Sequence, residues 1–175
     1  MARVSTIEKQ WGGHLGNRAD TLIKRSQRTR TSAVKIAHIM CDLIDIDYYN
    51  TQTCLVGPTK TRGRILEKAV TDYSGHVESI SDGCRLMLLF DDAKTIDKIS
   101  RNIISKKNKA PFDERLKGTN FHVMDTKDMV TTPKKWGYMG YLLKFEPEKK
   151  LNLYTPFEVQ ITHRGVKRKL FSSYA

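Results

Sequence analysis

Apolar residues recur along this chain with two different periods, and the change from one to the other separates helices from strands. Ala33, Ile36, Ala37, Met40, Leu43 and Ile44 follow i, i+3, i+4, i+7 spacing, which predicts an amphipathic helix over about 32–45 with Thr31 or Ser32 as its cap. His38 lies off that seam, as a surface or boundary residue. Upstream, residues 5–30 are polar and basic, and Gly12, Gly13 and Gly16 interrupt any early helix. A helix can start from Asp20, but KRSQRTRTS offers few apolar anchors, so the stretch is expected to be a solvated basic face or a mobile arm.

Downstream, TCLVG is a short strand candidate, and GPTKTRGRILEKAVTDY turns helical after Arg62. CRLMLLF (84–90), bounded by Asp82-Gly83 and Asp91-Asp92, is dense enough for a strand buried on both faces. Ile96, Ile99, Ile103 and Ile104 give one apolar face to a helix over 93–105. KKNKAPFDERLKGTN is expected to be a loop, FHVMD a short strand, and TKDMVTTPKKWGY a polar loop before the apolar piece MGYLLKFE. In TPFEVQITH, Phe157, Val159 and Ile161 alternate with Glu158, Gln160 and Thr162, the signature of a strand with one buried and one polar face. The tail, RGVKRKLFSSYA, is a final helix or a free arm. Helices first, then a sheet with helices on it, predict an α+β class.

Charge adds a functional hint. The 175 residues carry a net charge of +12, which points to an anionic partner (nucleic acid, nucleotide phosphates or an acidic surface) or simply to solubility. The first 35 residues hold eight basic and two acidic side chains, a net +6, whereas 36–90 hold five and seven. This divides the chain into a basic segment (1–30), a central domain (31–163) and a basic tail (164–175). No run of 18 apolar residues is present, so no membrane span is expected. The N-terminus lacks an apolar leader core, and Cys41, Cys54 and Cys84 fit neither a disulfide framework nor a zinc ribbon. A reduced, cytoplasmic location follows as the expectation.

Phosphate-loop, dinucleotide, HExxH and GxSxG motifs are missing, and the five histidines are scattered. A nucleophilic cysteine has nothing in its support. Glu158 and Gln160 share one strand face; they are either a solvent-facing pair or, opposite basic loops, a position to hold Mg2+. Tyr138, beside Lys134 and Lys135, is either a core aromatic or a platform that stacks a base while lysines meet phosphates.

These pieces together resemble a known family. KDMVTTPKKWGY (127–138), followed some twenty residues later by FEVQI (157–161), is similar to the RelA/SpoT synthetase pattern of KDYI, PK, GY and then EIQIRT. GPTK (57–60) with ILEK (65–68) resembles its GRxK segment and later SIxxK, and GCRL (83–86) resembles the GIRI that opens its first core strand. The resemblance implies a nucleotidyltransferase-like mixed sheet flanked by helices. It also implies transfer of a pyrophosphoryl group from ATP to the 3′-hydroxyl of a guanine nucleotide with Mg2+. Some small members act instead on adenine nucleotides or the 3′ end of tRNA. Carried over by position, Tyr138 stacks on the acceptor base. Glu158 binds Mg2+ or assists deprotonation, supported by Gln160. Lys60 and Lys68 meet the ATP phosphates, Lys134 edges the acceptor site, and Arg85 lies on the strand forming the floor.

The chain also departs from the family. Ile80 stands five residues before Arg85, where a metal-binding Asp is usual. On an extended segment Glu78, Ile80 and Asp82 face the same way, so Asp82 can replace it after a local shift. Pro58 replaces the Arg of GRxK, leaving Arg62 or Arg64 to supply the guanidinium, and Thr162 stands where Arg is usual. Two readings follow: a divergent pyrophosphokinase, or an inactive protein of that fold binding nucleic acid or another protein through its basic surface. The sequence gives no interface signal for an oligomer.

Overall fold

The computed structural model describes residues 13–47, 54–105, 110–132, 140–148 and 153–165. The first described element, α1 (Gly13–Ile44), is 32 residues long, so it takes in much of the stretch expected to be a solvated basic face or a mobile arm, and Lys24, Arg28 and Arg30 form an exposed basic face on it. The helix is held by a seam that repeats every three or four positions: Leu15, Ala19, Leu22, Ser26, Thr29, Ala33 and on to Ile44 are buried. Ser26 and Thr29 fill the stripe with small side chains that carry hydroxyls, so an apolar count breaks at these positions. Gly16 is buried inside the helix, and its lower propensity, about 1 kcal/mol, is outweighed by tertiary packing of the seam. Thr29 also anchors the helix: its Oγ1 accepts the Thr155 N–H at 2.9 Å and donates to the Thr155 carbonyl at 3.3 Å.

After α1 come β1 (Cys54–Val56), α2 (Arg62–Tyr73), a 3₁₀ turn (Val77–Ser79) and β2 (Cys84–Phe90). Then follow α3 (Ala93–Ile99), which runs on as a π-turn (Ser100–Ile104), α4 (Ala110–Leu116), β3 (Phe121–Asp128), β4 (Gly140–Pro147) and β5 (Phe157–His163). α4 falls inside a segment expected to be a loop. Its Pro111 stands in the first turn, where a missing N–H breaks no helical bond, and Phe112 and Leu116 are buried. β3 likewise runs further than FHVMD, because Thr126, Lys127 and Asp128 pair with Leu143, Leu142 and Tyr141.

The sheet has the order β1-β2-β5-β4-β3. β2 and β5 are parallel, and the other neighbours are antiparallel. The fold is therefore α+β with a mixed sheet, as the sequence predicts. Helices α1, α3 and α4 cover one face, where Leu86, Leu88, Phe157, Val159, Ile161, Leu143 and Phe145 form the main core. Phe145 and Phe157 stack there with ring centroids 4.8 Å apart, and each fully buried side chain of this size contributes about 1.5–3 kcal/mol. β2 is buried on both faces only towards its end, as Leu88, Leu89 and Phe90 are all buried; nearer its start Arg85 is exposed and Met87 half-buried. A second cluster joins α1 to α2 and the 3₁₀ turn through Leu15, Ala19, Leu22, Ile65, Leu66, Ala69, Val77 and Ile80. It fixes where the chain enters β2. No described helix is long and apolar enough to cross a membrane.

At that entrance α1 and the loop before β2 touch closely. A Cβ on Gly83 would lie 2.5 Å from Ser26 Oγ, and that buried hydroxyl has no hydrogen-bond partner. Ser26→Ala is expected to leave stability unchanged or to raise it by about 1 kcal/mol. Gly83→Ala should lower it by about 1–3 kcal/mol, and the double variant should lose less than the two changes summed. Urea denaturation of the four proteins checks this; strict additivity would mean that the two positions do not share a contact.

Candidate functional site

Three strands contribute one transverse row of charge. Arg85 of β2 stands opposite Glu158 of β5, and Glu158 stands opposite Lys144 of β4. Alternation sends all three side chains to the face away from the main core. Arg85 Nε lies 3.4 Å from Glu158 Oε2, Lys144 Nζ lies 3.8 Å from Oε1, and Ser81 Oγ donates to Oε1 at 3.4 Å. Gln160, one step along the same face, is half-buried and pairs in register with Met87 and Leu142. The polar face of β5 is thus no solvent-facing surface: Glu158 and Thr162 are both buried, Glu158 among the side chains of Arg85, Lys144 and Ser81.

Asp82 supplies the second carboxylate. Its Oδ2 accepts from Lys68 Nζ at 2.7 Å, lies 3.2 Å from Lys60 Nζ and is bonded by the Arg85 guanidinium. Its Oδ1 is buried without a hydrogen-bond partner, and the residue as a whole is 3% exposed. Burial pushes the Asp82 carboxyl up, but the Lys68 hydrogen bond and the charges of Arg85 and Lys60 outweigh it and hold the group below its ordinary value.

Local folding explains this convergence. The Gly57 N–H bonds the Arg85 carbonyl at 2.9 Å, which keeps the loop carrying Lys60 against β2. Thr61 caps α2 through the Arg64 N–H, and i, i+4 spacing puts Arg64 and Lys68 on one face. Together with Lys60, Glu67, Thr71, Asp72, Asp82 and Arg85 they line an open cleft of about 410 Å³. Arg62 turns elsewhere, pairing with Asp20 of α1 at 3.1 Å.

Residues 78, 80 and 82 do not share a face, contrary to the extended-segment expectation. The 3₁₀ turn and the bend after it break the alternation, so Glu78 pairs with Arg18 of α1, Ile80 enters the second core cluster, and Asp82 faces the cleft. Of the residues singled out from sequence, the structure brings Lys60, Arg64, Lys68, Asp82, Arg85 and Glu158 together. Lys134 and Tyr138 lie outside the described residues. Lys144 and Ser81 were missed. The alternation of Lys144 and Glu146 with Leu143 and Phe145 was the available signal for Lys144, and Ser81 had none.

Among the described residues no group of three or more His, Cys, Asp or Glu side chains converges to hold a metal. Asp82 and Glu158 are the carboxylates that could share one. The three cysteines form no disulfide; burial pushes Cys41 up to about 12 and Cys84 up to about 11, which disfavours a thiolate nucleophile at either.

No protein-family model and no curated protein sequence matches the chain. Solved structures do. Small alarmone synthetase 2 from Bacillus subtilis matches with a TM-score of 0.59 and 17% identity, over 89% of this chain and 77% of that one. Small alarmone synthetase 1 from Bacillus subtilis, bound to its product pppGpp, gives 0.57 and 16% over 86% and 74%. A GTP pyrophosphokinase family protein from Streptococcus pneumoniae gives 0.57 and 14% over 89% and 72%. The mixed sheet, with α1, α3 and α4 on one face, has the fold of the small alarmone synthetases.

Proposed function

We propose that the cleft transfers a pyrophosphoryl group from ATP to the 3′-hydroxyl of a guanine nucleotide. The observation that carries this reading is the convergence of Lys60, Lys68 and Arg85 on buried Asp82, with Glu158 beside Arg85, in a fold of this type. That small alarmone synthetase 1 is bound to pppGpp supports a guanine nucleotide as acceptor. In the proposed reaction the 3′-oxygen attacks the β-phosphorus of ATP, and the bond from that phosphorus to the α–β bridging oxygen breaks. AMP leaves, and the hydroxyl proton passes to Glu158. Lys60, Arg64, Lys68 and Arg85 bind the polyphosphate and stabilise the charge that builds on its oxygens, the main requirement of phosphoryl-type transfer. Gln160 orients the acceptor from the next position along β5. Arg62, held by Asp20, takes no part. Tyr138 and Lys134 keep their parts at the acceptor base on sequence grounds alone.

Asp82 and Glu158 would hold Mg2+, which takes oxygen ligands and is commonly bound by one or two carboxylates plus substrate phosphates and water. The buried, partnerless Oδ1 of Asp82 is a donor that fits it. When bound, the ion would neutralise phosphate charge. Incubating the protein with labelled ATP and GDP, GTP or tRNA tests the proposal. A 3′-pyrophosphorylated product and AMP are expected, and no transfer to any acceptor with Mg2+ or Mn2+ would overturn it.

One observation favours a second reading, in which the fold binds nucleic acid such as tRNA without turnover. Between residues 21 and 41, α1 carries Lys24, Arg25, Arg28, Arg30 and Lys35 and no acidic residue, and all of these but the half-buried Arg25 are exposed. Under that reading, binding weakens steeply with salt while ATP stays intact.

A further inference from the structure

We propose that Arg85 is the resident counter-ion of the metal position: its guanidinium bridges the two carboxylates in the free protein and gives way to a divalent cation when the nucleotide arrives. The inference rests on the reading above, but it concerns this chain's own charges. Among the described residues, Arg85 is the side chain that pairs with both Asp82 and Glu158. Lys60 and Lys68 reach Asp82 alone, and Lys144 reaches Glu158 alone.

The two carboxylates need a cation between them. Their side chains are 2% and 9% exposed, and like charges buried close together destabilise one another unless a counter-charge is present. Arg85 is also the partner best placed to leave. Its side chain is 44% exposed, against 22% for Lys60 and 26% for Lys68. Its planar fork of donors suits a phosphate as well as a carboxylate, so an arriving polyphosphate offers it a new anion. Free metal has to displace an internal cation that then loses its counter-anions, whereas metal arriving with a nucleotide brings phosphates for Arg85 to pair with. Metal and nucleotide are therefore coupled through Arg85, each raising the affinity for the other.

The test is the binding of Mn2+ alone to the full chain, followed by electron paramagnetic resonance, before and after adding a non-hydrolysable ATP analogue. If Arg85 occupies the carboxylates nine-tenths of the time, it weakens metal binding about tenfold. Arg85→Gln is thus expected to bind free Mn2+ about tenfold more tightly than wild type, and the gain should shrink once the analogue is present. Lys144→Gln removes an equal charge from one carboxylate only and should gain distinctly less. Arg85→Lys keeps the charge but cannot span both carboxylates; it should gain a few-fold, and it serves if Arg85→Gln does not fold. The proposal is overturned if the folded Arg85 variants bind free Mn2+ no more tightly than wild type, or if Lys144→Gln gains as much. Because the signal comes from metal binding, it can be read even if no pyrophosphoryl transfer is found, so the two failures are distinguishable.

Discussion

Exchanging Glu158 for Gln is expected to lower pyrophosphoryl transfer by a factor of about 10²–10⁴ while the fold stays intact. The substitution keeps the shape of the side chain and removes both properties that the proposed reaction asks of it. An amide cannot take the proton of the attacking hydroxyl, and it is a poorer ligand for a hard cation than a carboxylate. Arg85 and Lys144 would also lose their shared counter-charge. The core should not notice, because residue 158 points away from Phe157 and Val159, which pack with the main cluster. Labelled ATP with GDP or GTP gives the rate, and circular dichroism gives the fold. Transfer within tenfold of wild type, in a protein that melts normally, would remove Glu158 from the reaction.

The second large effect is on stability. Placing at position 80 the aspartate that the resemblance to RelA/SpoT synthetases implies, with Ile80→Asp, is expected to destabilise the protein by at least about 4 kcal/mol, enough to unfold much of a marginally stable domain. Ile80 is fully buried among Leu15, Leu22, Ile65 and Leu66, so the change both deletes an apolar side chain and places a carboxylate where no described cation pairs with it. Ile80→Val should cost about 1 kcal/mol. Urea denaturation measures both. If Ile80→Asp proved as stable as wild type and bound metal more tightly, residue 80 would face the cleft and the assignment of Asp82 would fail.

The contrast between Ile80 and Asp82 shows what was legible in the sequence. The spacing of the motifs located the candidate site, because strand alternation is a strict two-residue rule and Glu158, Gln160 and Arg85 sit on strands. It failed over 78–82, because a 3₁₀ turn rotates each side chain by roughly 120°, and the turn dipeptides Ser74-Gly75 and Asp82-Gly83 that flank the segment mark a break without giving the direction of each side chain. α1 was half legible for a related reason: Ser26 and Thr29 belong to the buried seam through size and, for Thr29, a hydrogen bond to Thr155, properties an apolar count does not weigh. α4 was hidden by its own charges, with only Phe112 and Leu116 buried along it. Lys144 became visible only when the register opposite Glu158 was known, because a lysine on a polar strand face is ordinary until its neighbour is identified.

The parallel pairing of β2 with β5 bears on how the protein is made. Arg85 and Glu158 face each other across that pair, yet α3, α4, β3 and β4 all lie between them along the chain. Closing so long a loop precedes any gain from the contact, so such non-local pairing is intrinsically slow. A growing chain that had emerged as far as β4 would hold Asp82, Arg85 and Lys144 but lack the strand that separates β2 from β4. The charge row would be split and Arg85 would have only Asp82 to meet. The charge row of this cleft would therefore be completed abruptly, on arrival of β5, rather than grow in gradually during synthesis.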